Sequence, residues 1–102
     1  MTAQRRNVRV GDGFFQQLDT QLGPDRGPNG EPSATDFLVL ELPIVVDRFA
    51  TAFTELPEII EGFPAGRMLI ASGLLVKAFA VYGIEVLDGS IDLIGVELDL
   101  TT

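Results

Sequence analysis

Hydrophobic positions along the 102-residue chain change period about two-thirds of the way through. Asn7 to Val10, NVRV, reads as a short strand. Phe14, Phe15, Leu18 and Leu22 then recur at helical spacing, with Asp12 in position to cap and Gly23-Pro24 to stop the helix. Gly23 to Pro32 holds three Gly and three Pro in ten residues, which excludes a regular element and predicts a surface loop. Ser33, with Asp36 three residues on, is a capping-box pattern with Asp in place of Glu or Gln. The helical run that follows meets Pro43, which predicts a kink or break near Leu42. Val45, Phe49, Ala52, Phe53, Leu56 and Ile60 form one stripe of that run. Asp47, Thr51, Glu55 and Glu58 form its wet face. Pro57 is expected to end it.

From Arg67 the texture becomes aliphatic and β-branched. RMLIASG, LLVKAFAVYGIEVL and SIDLIGVELDL are separated by Ser72-Gly73 and Asp88-Gly89, and they predict an antiparallel three-stranded meander. Asp-Gly signals a tight hairpin. Gly83, inside the middle strand, predicts a bulge or bend. The last strand carries an internal contradiction. Ile91 and Leu93 share one face, whereas Val96, Leu98 and Leu100 share a face that is one residue out of phase. A period of two cannot bury both sets on one side without an extra residue. Either Ile94-Gly95 is a bulge, or the sheet has apolar cover on both sides there. The expected fold is α+β: one domain over residues 1–102, ordered β-α-α-β-β-β with two or three helices, packed on one face of the sheet.

Composition narrows the chemistry. There is no Cys, which excludes disulfides, thiolate metal sites and a Cys nucleophile. The chain also lacks His, the commonest general base and zinc ligand. Fifteen acids against seven bases give a net charge of −8. A nucleic-acid partner is therefore disfavoured, because such binding rests on Lys and Arg neutralising phosphates. A protein partner, basic in character, is the expectation. No apolar run reaches the roughly 20 residues of a membrane span. No secretory leader is visible, so the expected location is the cytoplasm. No cofactor motif is present: Gly11 to Gly13, GDG, is too short for a phosphate loop.

The order of elements, and above all Gly66 to Leu100, GRMLIASGLLVKAFAVYGIEVLDGSIDLIGVELDL, resembles the RelE/ParE superfamily of toxin–antitoxin systems. Arg67 opens the first strand of that stretch, Lys77 stands where the family often has an arginine, and Tyr82 lies on the same strand as Lys77. The resemblance implies a small α+β fold. It also implies, as one reading, a ribonuclease or gyrase-inhibiting toxin acting through Arg67, Lys77 and Tyr82. The departures are the missing His and the acids where ribosome-binding members carry bases. The reading these favour is a non-catalytic binding or regulatory protein of that fold, acting through protein contacts, with a homodimer as one form open to it.

Three constellations are candidates for function. Lys77 can stabilise developing negative charge and Tyr82 can handle a proton, although neither residue type is an obvious base at neutral pH. An edge arginine, a solvated lysine and a packed tyrosine explain the same residues. Asp92, Glu97 and Asp99 alternate with aliphatics along the last strand. Glu97 and Asp99 are roughly 7 Å apart along it, a spacing open to glycoside or metal chemistry and equally to a solvated docking face. Asp25 to Asp36 partly follows a calcium loop through Asp25, Asn29, Gly30, Ser33 and Asp36, but it fails at Gly27 and Pro32. Turn formation and helix capping account for those letters too. If the edge of the sheet is Ile91 to Leu100, it can pair across a dimer.

Overall fold

A computed structural model describes residues 5–100. The fold is α+β, with one early strand, three helices and then the remaining strands. The elements are β1 (Val8–Val10), α1 (Asp12–Gln21), α2 (Ala34–Leu40), α3 (Leu42–Ala52), a 3-10 turn (Phe53–Glu55), β2 (Gly66–Ala71), β3 (Ala78–Glu85) and β4 (Ile91–Asp99). The expected meander is present, and β1 joins it in parallel to β4, so the sheet is mixed with order β1-β4-β3-β2. This order corrects one expectation. β4 lies inside the sheet, between β1 and β3, so its backbone is not an edge that can pair across a dimer.

The two hydrophobic phases of β4 are reconciled by a bulge. Tyr82 faces Gly95 whereas Gly83 faces Leu93, so β4 spends one extra residue, Ile94, at this point. Ile91, Leu93 and Val96 are all fully buried as a result, while Ile94 is exposed. Gly83 on the facing strand is also explained. A Cβ there would come within 2.6 Å of the Phe49 ring, so the missing side chain lets α3 close on the sheet.

Only three residues of β1 cover the outer edge of β4, at Ile91 to Leu93. Beyond the bulge, α1 takes over with side chains. Gln17 Oε1 accepts the Val96 N–H at 2.8 Å. Gln21 accepts the Leu98 N–H at 2.7 Å and donates to the Val96 carbonyl at 2.7 Å. Two amides thus stand in for the missing strand neighbour, because a buried backbone polar group needs a partner. Gly95 keeps the approach open: a Cβ there would meet Gln17 Oε1 at 2.8 Å.

The helices begin and end for local reasons. Gly11, not Asp12, is the N-cap of α1. Its own N–H is committed to the Leu93 carbonyl at 3.0 Å, so the chain turns into the helix directly from β1. Asp12 becomes the first helical residue, where its charge still suits the helix dipole. The capping box of α2 is complete, with Ser33 Oγ accepting from Asp36 N–H at 3.1 Å and Asp36 accepting from Ser33 N–H at 3.0 Å. Pro43 interrupts the long helix at Glu41, between α2 and α3. Regular helix stops at Ala52, earlier than Pro57, and residues 57–59 run back along β2, with Pro57 accepting from Met68 N–H at 3.0 Å. Ile60, expected in the apolar stripe, lies beyond the helix and is exposed.

Phe14, Phe37, Phe49, Val81 and Leu93 centre the single core, with Phe37 edge-on to Phe79 at 5.6 Å. The hairpin between β3 and β4 closes with Gly89 in the left-handed region, φ +86°, donating to the Val86 carbonyl at 2.9 Å.

Gln21→Ala tests the amide substitution. It orphans the Leu98 N–H, and unsatisfied groups of this kind cost about 1–3 kcal/mol. The expected result is a lower urea midpoint, with exposed Gln16→Ala close to wild type.

Candidate functional site

The three residues implied by the toxin resemblance do not converge. Arg67 pairs with Gly83 on the face that packs under the helices, and its guanidinium is a structural tie. Nε donates to the Pro64 carbonyl and Nη1 to the Leu56 carbonyl, both at 2.8 Å. Glu58 lies 3.8 Å away, and the Phe53 ring has both Arg67 and Arg6 over it, at 5.8 and 5.1 Å from the ring centre. The side chain is 14% exposed, with its donors committed to the 54–64 segment.

Tyr82 is on the opposite face, next to Met68 and Gly95 in register. Its hydroxyl donates to Glu97 Oε1 at 3.1 Å, diagonally across β3 and β4. Burial first, then the Glu97 carboxylate, raise its pKa above the ordinary 10.0. That shift makes the phenol a poorer proton acceptor near neutrality, not a better one. Lys77 sits in the loop before β3, about five residues or roughly 17 Å of strand from Tyr82. It is exposed and belongs to a different surface, the rim of a cavity beside the Gly23 to Pro32 loop.

That loop position corrects the predicted start of β3 at Leu74. Leu74 to Lys77 are outside the strand, with the Leu74 and Leu75 amides tied to Glu41 instead. The Glu41 side chain is buried at the α2–α3 joint and accepts the N–H groups of Leu74, at 2.8 and 2.9 Å, and Leu75, at 3.0 Å. Gly73 is required beside it, since a Cβ would lie 2.5 Å from Glu41 Oε2. Sequence reasoning passed over Glu41 as one more acid in a helix. Its place at i+4 from Phe37 and i−4 from Val45, two core residues, was the available signal.

Asp92, Glu97 and Asp99 do share one surface, the sheet face turned away from the core. Asp92 is paired with Arg9 at 2.8 Å, Glu97 receives the Tyr82 hydroxyl, and Asp99 stands opposite Ala78. Ala78, Ala80 and Ile70 lie beside Glu97 and Asp99, forming a shallow groove of about 220 Å³. Ile70, on edge strand β2, is 63% exposed. The acids therefore border a low apolar floor.

The calcium-loop candidates are not gathered as ligands. Both oxygens of Asp36 are held by Arg26, at 2.8 and 3.1 Å, and one also serves the helix cap. Arg26 and the Ser33 backbone pull the Asp36 pKa well below the usual carboxylate range. Ser33 is committed to the same cap, and among the described residues no group of three or more acidic side chains is placed to share a metal ion. No described helix is long and apolar enough to cross a membrane. The chain matches no protein-family model, no curated protein and no solved structure.

Two measurements check this geometry. Tyr82 is the only tyrosine and there is no tryptophan, so its ionisation is readable by ultraviolet absorbance. It titrates above the ordinary 10.0, and Glu97→Gln brings it down. Because the folded-state value is raised, its stabilising contribution is present below the ordinary value and is lost as pH rises through the folded one. Separately, Glu41→Ala orphans the Leu74 and Leu75 N–H groups. It should destabilise the fold by about 2 kcal/mol or more in urea denaturation, at about 1–3 kcal/mol per orphaned group.

Proposed function

We propose that this chain is a non-catalytic binding or regulatory protein with a toxin–antitoxin-like fold, engaging a protein partner through its open sheet face. The observation that carries this reading is the pairing of Glu97 and Asp99 with the apolar floor of Ala78, Ala80 and Ile70, on the same sheet face as Asp92. Such a face suits a partner presenting basic and small apolar side chains in alternation, with the charges setting orientation and encounter rate. A second copy of the chain is less suited, because two such acidic faces repel. The dispersal of Arg67, Lys77 and Tyr82 supports binding over the ribonuclease or gyrase-inhibitor reading.

Two arms test the proposal. Induced in a bacterial host, the protein should leave growth unchanged, and the pure protein should leave RNA intact. Rapid arrest relieved by Lys77→Ala would sink the non-catalytic reading. In the second arm, a peptide of alternating Lys and Val should bind in a salt-dependent way. Glu97→Lys should weaken it about tenfold, equivalent to about 1.4 kcal/mol. Binding that ignores both salt and this substitution counts against the sheet face.

A further inference from the structure

At the end of the sheet where β3 begins, two loops face each other across a cavity of about 710 Å³. This lies within the roughly 300–1,000 Å³ typical of small-molecule sites. One wall is the Gly23 to Pro32 loop, presenting Asp25, Asn29 and Glu31. The other is Leu75 to Lys77, the segment that Glu41 holds. Leu22, Val76 and Leu100 supply the apolar surface between them.

The loop wall is shaped by its own contacts. Gly27 N–H donates to the Glu31 carbonyl at 2.9 Å, and Glu31 Oε2 accepts the Asn29 N–H at 2.8 Å. The Glu31 side chain folds over Gly27, where a Cβ would meet it at 2.4 Å. Arg26 ties the loop to α2 through Asp36.

Charge in this cavity is left unmatched. Arg5, Arg6, Arg9, Arg26 and Arg67 all pair with acids. Lys77 and Arg48 do not, and Lys77 differs from Arg48 in sharing a cavity with two carboxylates in a chain of net charge −8. Neither the Lys77 nor the Asp25 side chain has a hydrogen-bond or ion-pair partner among the described residues. On the anionic side Gln21 and Leu22 bring the last turn of α1 to the cavity, and that turn holds no basic residue. The cavity therefore offers one cation, one anionic corner and an aliphatic surface, with no ion pair between the opposite charges.

We propose that this cavity binds a zwitterion with an aliphatic body, either a free α-amino acid or a short peptide. The ligand carboxylate meets Lys77. Its ammonium group meets Asp25. Its aliphatic side chain lies on Leu22, Val76 and Leu100. A ligand lacking either charge leaves its counterpart in the cavity unpaired, which gives selectivity. None of these residues belongs to the acidic sheet face, so the site stands or falls independently of the docking proposal.

The test is thermal melting followed by calorimetric titration with three probes at millimolar concentration: leucine, leucyl-leucine and N-acetyl-leucinamide. Leucine or leucyl-leucine should raise the melting temperature. The one that binds more tightly distinguishes amino acid from peptide as the source. Acetyl-leucinamide, with neither charge, should give no shift. Lys77→Ala and Asp25→Asn, both at exposed positions, should melt like the unliganded wild type and weaken the zwitterion about tenfold or more. The proposal is overturned if neither zwitterion shifts the melt, if the capped probe shifts it equally, or if Lys77→Ala binds with full affinity.

Discussion

The outer edge of β4 is the constraint around which the rest of the fold is arranged. A central strand needs hydrogen-bonding neighbours on both sides, and β1 is long enough to serve only Ile91 to Leu93. The remainder is served by Gln17 and Gln21, which works only if α1 lies close along the strand. The bulge at Ile94 and the bare Gly95 make that approach possible. Once α1 is fixed there, Phe14 and Leu18 are driven into the core, and Phe37 follows from α2 to pack against Phe14 and Phe79. A local shortage of strand thus sets the position of the helical layer.

Much of this was legible in the residues because it follows from short-range rules. Alternation with a period of two exposed the conflict between Ile91 and Val96, and a bulge is the geometry that resolves it. Ser33 and Asp36 cap as their spacing implies, Asp88-Gly89 turns the hairpin, and Pro43 breaks the helix within two residues of the expected place. What escaped were contacts between residues far apart in sequence. Gln17 and Gln21 look like ordinary polar helix positions until β4 is laid beside them. Leu74 and Leu75 have the composition of a strand, and only a carboxyl group more than thirty positions earlier removes them from one.

The candidate site divides the same way. That Asp92, Glu97 and Asp99 share a face is a consequence of alternation, including the phase change between Asp92 and Glu97 that the bulge absorbs. Whether Arg67 and Tyr82 could meet depended on register, which pattern does not supply. Arg67 opposes Gly83 while Tyr82 opposes Met68, and neighbouring pairs in a ladder point to opposite sides. The cavity beside Lys77 was out of reach for a further reason. It is built from three segments that share no motif: a helix end, a glycine-proline loop and the approach to β3.

Glu41 couples the helical layer to the approach of β3. Its two acceptor oxygens reach the Leu74 and Leu75 amides only after the α2–α3 joint has settled on the sheet, a closure spanning more than thirty residues. Such a closure costs chain entropy that the contact itself must offset. The segment carrying Lys77 therefore depends on the helical layer for its shape, and a chain that has folded its hairpins but not docked its helices lacks the Glu41 contact that fixes one wall of the cavity.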